Sequence, residues 1–198
     1  MKKLTTKKDQ AKRAKRNQFL LGGFLILIMF GSVFGIIVNS FRDDEENGIR
    51  EVTYNGFEFV NQNGFWVSDI GSFQFLFSNN PAEIKFNESV NISEDISPLN
   101  QYSGQPLYVL SEDENAKWEL YRNLHPDFNQ IVQRMQGACL EECEGDLPVK
   151  TCENNFIIIR ESNESRIIQE DNCVFIDGER ENLIKLVDKY LFKVLGIE

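Results

Sequence analysis

A chain of 198 residues with 31 acidic and 21 basic side chains and four cysteines is long enough for one well-packed domain and too short for two of ordinary size. Its formal charge of -10 is unevenly spread: residues 1–16 hold eight of the basic side chains and one acid, so the remainder is strongly acidic. Such a body repels phosphate backbones and argues against nucleic acid as a partner.

The chain begins with Lys2, Lys3, Lys7, Lys8, Lys12, Arg13, Lys15 and Arg16 against the single acid Asp9. An apolar run from Phe19 to Val38 follows, with Ser32 its only polar residue. At about 1.5 Å per residue this run reaches roughly 30 Å, the thickness of a bilayer's hydrocarbon core. We expect a basic cytoplasmic tail over residues 1–17, a transmembrane helix over 18–40, an acidic linker over 41–50 containing Asp43, Asp44, Glu45 and Glu46, and an extracytoplasmic domain over 51–198. A cleaved secretory signal fits less well, because the run exceeds the usual signal core and lacks an A-x-A site. A pilin-type leader would need a small residue where Arg16-Asn17-Gln18 stands. Gly31-x3-Gly35 is the spacing of close helix packing and points to a homodimer or another membrane helix.

From Val52 to Phe77 the chain alternates β-forming and polar residues, punctuated by Asn55-Gly56, Asn63-Gly64 and Ile70-Gly71. Asn-Gly between β-formers is a hairpin signal, so residues 51–78 read as a meander of three or four antiparallel strands with aromatic residues on one buried face. A carbohydrate platform is the rival reading of that stripe; core packing is preferred. Asn80-Pro81 resembles a helix start whose apolar pattern soon fails, and residues 87–104 read as a polar loop. Asn87, Asn91 and Asn163 each begin an N-x-S glycosylation sequon.

Pro106–Leu110 reads as a strand, and Ser111 as the cap of a helix facing inward through Trp118, Tyr121, Leu124, Phe128, Ile131 or Val132, and Met135, kinked or broken near Pro126. Phe156–Ile159 and Arg166–Gln169 then read as a hairpin turning at Ser162-Asn163. That register places Cys152 opposite Cys173 and leaves Cys139 with Cys143, provided the helix has ended before Cys139; crossed pairings stay open. Cys173–Ile176 reads as a strand and Arg180–Leu195 as an amphipathic helix facing in through Leu183, Val187, Tyr190, Leu191 and Val194. The expected class is α+β, an antiparallel-sheet domain with two long packed helices.

Four cysteines outside the cell read as two disulfides, and their spacing lacks the paired C-x2-C knuckles of a zinc site. His125, the only histidine, has no nucleophile motif beside it and reads as a surface or kink residue. Glu141, Glu142, Glu144 and Asp146 lack the alternating spacing of a calcium loop. Glu58 and Asp69 are acids that a carboxylate hydrolase would need to bring together. No Gly-rich phosphate loop is present, and no cofactor is expected.

The segments YNGFEF, FWV, LPVKTCENNFIIIR, NCVFIDGE and LIKLVDKYLFKVLGI, in this order behind a basic tail and one membrane helix, resemble a group of uncharacterised archaeal single-pass membrane-anchored proteins over most of residues 18–196. The resemblance implies the topology and carries no activity. The sequence thus points to a cell-membrane protein with a disulfide-bonded, glycosylated outer domain that binds a protein partner or supports a membrane complex without catalysis. An envelope-anchored hydrolase and a pilin-like filament subunit are the alternatives.

Overall fold

The structure, a computed structural model, describes residues 50–84, 90–125, 127–129, 131–143 and 145–198. The basic tail, the expected transmembrane helix with Gly31 and Gly35, the linker as far as residue 49, the sequon at Asn87 and the acid Glu144 lie outside the described residues. Among the described residues no helix is long and apolar enough to cross a membrane.

β1 (Glu51–Tyr54), β2 (Phe57–Gln62), β3 (Phe65–Ile70) and β4 (Phe73–Phe77) form an antiparallel meander in chain order. Asn55-Gly56 and Asn63-Gly64 make the first two turns with positive φ at both residues, 48° and 87°, then 53° and 86°. Asparagine and glycine tolerate that region, and the resulting turn matches the natural strand twist. Phe59, Phe75 and Phe77 point to one face and are buried, so the aromatic stripe is core and not a platform.

The second sheet contains β5 (Asn91–Ile92), β6 (Pro106–Ser111), β7 (Arg134–Gly137), β10 (Phe156–Glu161), β11 (Arg166–Glu170) and β12 (Cys173–Gly178), in the order β5-β11-β12-β10-β6-β7. It is mixed: β10 runs parallel to both β6 and β12, β7 parallel to β6 and β5 parallel to β11, while β11 and β12 are antiparallel. The expected hairpin between 156–159 and 166–169 does not form, because β12 lies between those strands. Burial explains this order. Phe156–Ile159 and Cys173–Ile176 are buried on both faces and belong at the sheet's centre, whereas β11 mixes Ile167 with the polar Arg166, Gln169 and Glu170. The disulfides join Cys152 to Cys173 and Cys139 to Cys143. The first arises from the parallel pairing of β10 with β12, which sets Phe156 beside Cys173, and not from the hairpin expected to supply it.

Helix α1 (Glu114–Leu124) connects β6 to β7 as a crossover, and α2 (Leu183–Val194) closes the chain. The expected helix from Ser111 towards Met135 is cut to 11 residues. Asp113, not Ser111, is its cap, accepting from Ala116 N at 2.8 Å. His125 is already extended (φ -63°, ψ 138°), as the residue before a proline must be. Ile131, Val132 and Met135 are buried as expected, but from the segment that leads into and forms β7.

One core lies between the meander, the two helices and one face of the mixed sheet. There Phe192 of α2 meets Phe77 at 4.9 Å and Phe59 at 5.9 Å between ring centroids. A smaller core on the sheet's other face joins Tyr108, Ala138, Phe156, Ile158, Cys173 and Phe175. Next to it lies the short parallel ribbon β8 (Cys139–Leu140) and β9 (Val149–Lys150), whose Leu140 packs against that core.

Candidate functional site

α1 buries a polar stripe. Ala116, Glu119, Leu120, Asn123 and Leu124 face in, whereas Trp118, assigned inward from sequence, is 60% exposed and Tyr121 is half-buried. The reason is the outer edge of β4, whose backbone groups have no neighbouring strand. Asn123 substitutes for one: its Oδ1 accepts from Leu76 N and its Nδ2 donates to Leu76 O, both at 2.8 Å. Asn129 Nδ2 donates to Gln74 O at 3.1 Å and to Asn123 O at 2.8 Å. The Glu119 carboxylate accepts from Ser78 N at 3.0 Å and also from Ser78 Oγ.

Asp188 of α2 completes the edge, its Oδ2 accepting from Asn79 N and Nδ2, both at 2.9 Å. Glu119 and Asp188 are the two acids of the domain that converge, at 1% and 0% exposure. Burial first, and then the neighbouring Glu119, push the Asp188 carboxyl well above the usual carboxylate range. Arg122 sits against the Glu119 carboxylate, donates to Ser78 Oγ at 3.3 Å and lies 4.3 Å above the Phe65 ring. Sealed from solvent and occupied by backbone donors, the two acids hold structure and cannot reach a substrate.

On its outward side, α1 borders a groove of about 600 Å³ lined by Gln74, Leu76, Trp118, Arg122, Asp127, Phe128 and Asn129. Trp118 and Phe128 are 60% and 63% exposed, the two most exposed large apolar side chains among the described residues. They end a continuous aromatic row: Trp118 to Tyr121 at 6.1 Å, Tyr121 stacked on His125 at 5.6 Å, His125 to Phe128 at 6.1 Å. The helix ends at Leu124, and Phe128 lies beyond it in a turn, outside the helical stripe. Asp127 is 84% exposed beside it, 3.6 Å from His125 Nδ1.

The remaining candidates do not assemble. Glu58 and Asp69 stand exposed on the meander, Asp69 accepting from Gln74 Nε2 at 3.1 Å, and neither lines the groove. Glu141, Glu142 and Asp146 are exposed on the cysteine loop, and among the described residues no three His, Cys, Asp or Glu side chains gather as a metal set. Asn91 and Asn163 are exposed. Sequence reading missed Trp118 and Phe128 as surface residues. The signal was present in Pro126, which ends the helix before Phe128, and in Glu119 and Asn123, whose side marks the face that meets β4.

Neither a protein-family model, nor a curated protein, nor a solved structure matches this chain.

Proposed function

We propose that this chain is a single-pass membrane protein, N-terminus cytoplasmic, whose extracytoplasmic domain docks a protein partner in the groove beside α1 and catalyses no reaction. The observation that carries the reading is the joint exposure of Trp118 and Phe128 around one groove. Large aromatic side chains in a concavity are the residue types that dominate protein interfaces, and leaving them in water without a partner is unfavourable. Charge states the partner's chemistry. The groove's one cation, Arg122, is already paired with buried Glu119, while Asp127 is open, and the body around it is acidic. The partner therefore inserts an apolar side chain between Trp118 and Phe128 and presents a Lys or Arg to Asp127. Two disulfides suit an oxidising compartment, and the exposed sequons Asn91 and Asn163 suit modification there.

The test is in-membrane cross-linking of the tagged full-length protein, followed by mass spectrometry of what co-purifies. A partner retained by the parent and by Glu58→Gln, but lost from Trp118→Ala and from Asp127→Lys, supports the reading. Equal recovery from all four, or no partner, overturns it.

A further inference from the structure

A second site lies on the opposite face of the mixed sheet. Tyr108 of β6, 4% exposed, lines a polar hollow of about 380 Å³ together with Gln101, Gln105, Pro106, Glu153, Asn154 and Asn155. Two cations from separate strands converge on this one phenol. Arg134 of β7 donates from Nη2 to Tyr108 Oη at 3.0 Å, and Lys150 of β9 holds its Nζ 4.5 Å from the ring centroid. Among the described residues neither cation is paired with a carboxylate, and the Tyr108 hydroxyl proton has no acceptor. The Arg134 hydrogen bond, followed by Lys150 against the opposing effect of desolvation, lowers the Tyr108 pKa.

Two like charges held together on an acidic body are unfavourable unless an anion comes between them. Guanidinium, ammonium and phenol are all donors; the group they lack is an acceptor carrying negative charge. We infer that the cluster of Arg134 and Lys150 around the Tyr108 phenol binds a small oxyanion group, a carboxylate or a phosphate. Arg134 supplies directed N–H donors, Lys150 a mobile charge and Tyr108 an O–H. Glu153 stands at the same hollow and opposes the anion, which limits affinity and gives the site a second handle. Groove and hollow share no lining residue, so this inference stands apart from partner docking.

The experiment uses the full-length protein in detergent micelles with 13C-labelled tyrosine, following the Tyr108 ring Cζ resonance, assigned by its absence in Tyr108→Phe. Inorganic phosphate and acetate are titrated separately at constant ionic strength set with chloride. The expected result is a saturable shift with at least one of them, weakened about tenfold or more in Arg134→Gln and in Lys150→Gln and tightened in Glu153→Gln. The ratio of the two affinities tells phosphate from carboxylate. A resonance that neither anion moves, or a shift that Arg134→Gln and Lys150→Gln leave unchanged, overturns the proposal. The gain in Glu153→Gln guards against misfolding, since a damaged domain does not bind more tightly.

Discussion

Glu119 and Asp188, on different helices, accept hydrogen bonds from the consecutive amides of Ser78 and Asn79 at 3.0 and 2.9 Å, and the second oxygen of Asp188 is buried with no donor. Two adjacent carboxylates in a dry interior do not both ionise, and Asp188 is the one pushed towards protonation. The two acids thus bring α2 and α1 together while both helices hold the end of β4.

This pairing makes stability fall as pH rises out of the acid range. The folded pKa of Asp188 lies above its unfolded value, so its contribution is complete below the unfolded pKa and is lost as pH rises through the folded one. We expect stability to fall by up to about 1.4 kcal/mol per pH unit between the unfolded and the folded pKa of Asp188, and to level off above the folded one. Asp188→Asn keeps a donor facing Glu119 and cannot ionise, so its melting temperature should be flat over the same window. A parent and variant with the same slope over that window would refute the raised Asp188 pKa.

An acid limit comes from Asp177. Arg160 donates to it at 2.7 and 2.9 Å and Arg166 at 2.7 Å. Burial resists ionisation of this carboxyl, but the two arginines outweigh burial and hold its pKa below the usual range. With a folded pKa below the unfolded one, the stabilisation exists above the unfolded value and disappears as pH falls through the folded value. Asp177→Asn should lose about 1–2 kcal/mol at neutral pH, a figure reduced for the partial exposure of both arginines, and should show a shallower acid transition. Urea denaturation at neutral and acid pH measures both.

The Asn123 amide is the most direct substitute for a missing strand. Asn123→Leu leaves Leu76 N and O without their partner, and a loss of about 2–4 kcal/mol is expected in chemical denaturation. Hydrogen exchange should accelerate at the Leu76 amide before it does in β10. Unchanged protection there would mean that other groups satisfy the edge.

The two disulfides should contribute unequally. Cys152–Cys173 closes a separation of 21 residues and Cys139–Cys143 one of 4. From loop entropy, replacing the first pair by serine costs about 3 kcal/mol and the second about 2. Because Cys173 is also buried within the smaller core, the difference should widen. Denaturation of the two double variants gives the order directly.

Trp118→Ala and Phe128→Ala should each leave stability within about 0.5 kcal/mol of the parent, since both side chains stand mostly in water. A larger loss from either would show that the residue packs the fold and would weaken its assignment to docking.

Much of the fold was legible where the code is local. Asn55-Gly56 and Asn63-Gly64 announce their turns because few other pairs adopt positive φ twice in succession. Leu183, Val187, Tyr190, Leu191 and Val194 recur at helical spacing and are all buried. The strand order of the second sheet was not legible: Phe156–Ile159 reads as a buried strand but does not state its neighbours. The groove was hidden by a similar ambiguity, since Trp118, Tyr121, Leu124 and Phe128 fit one continuous apolar stripe as long as the helix is assumed to continue.

By itself the sequence determined the turns, the alternation of the meander, the closing helix and the acidic surface, because each depends on residues within a few positions of one another. Only the tertiary structure decided that β12 enters between β10 and β11, that Glu119, Asn123 and Asp188 are inside, and that Trp118 is outside. Those outcomes rest on satisfying one strand's open edge with side chains 47 and 109 residues away, as in Leu76 with Asn123 and Asn79 with Asp188. A buried backbone group must find a partner wherever the chain brings one, and that requirement leaves no periodic mark in the sequence.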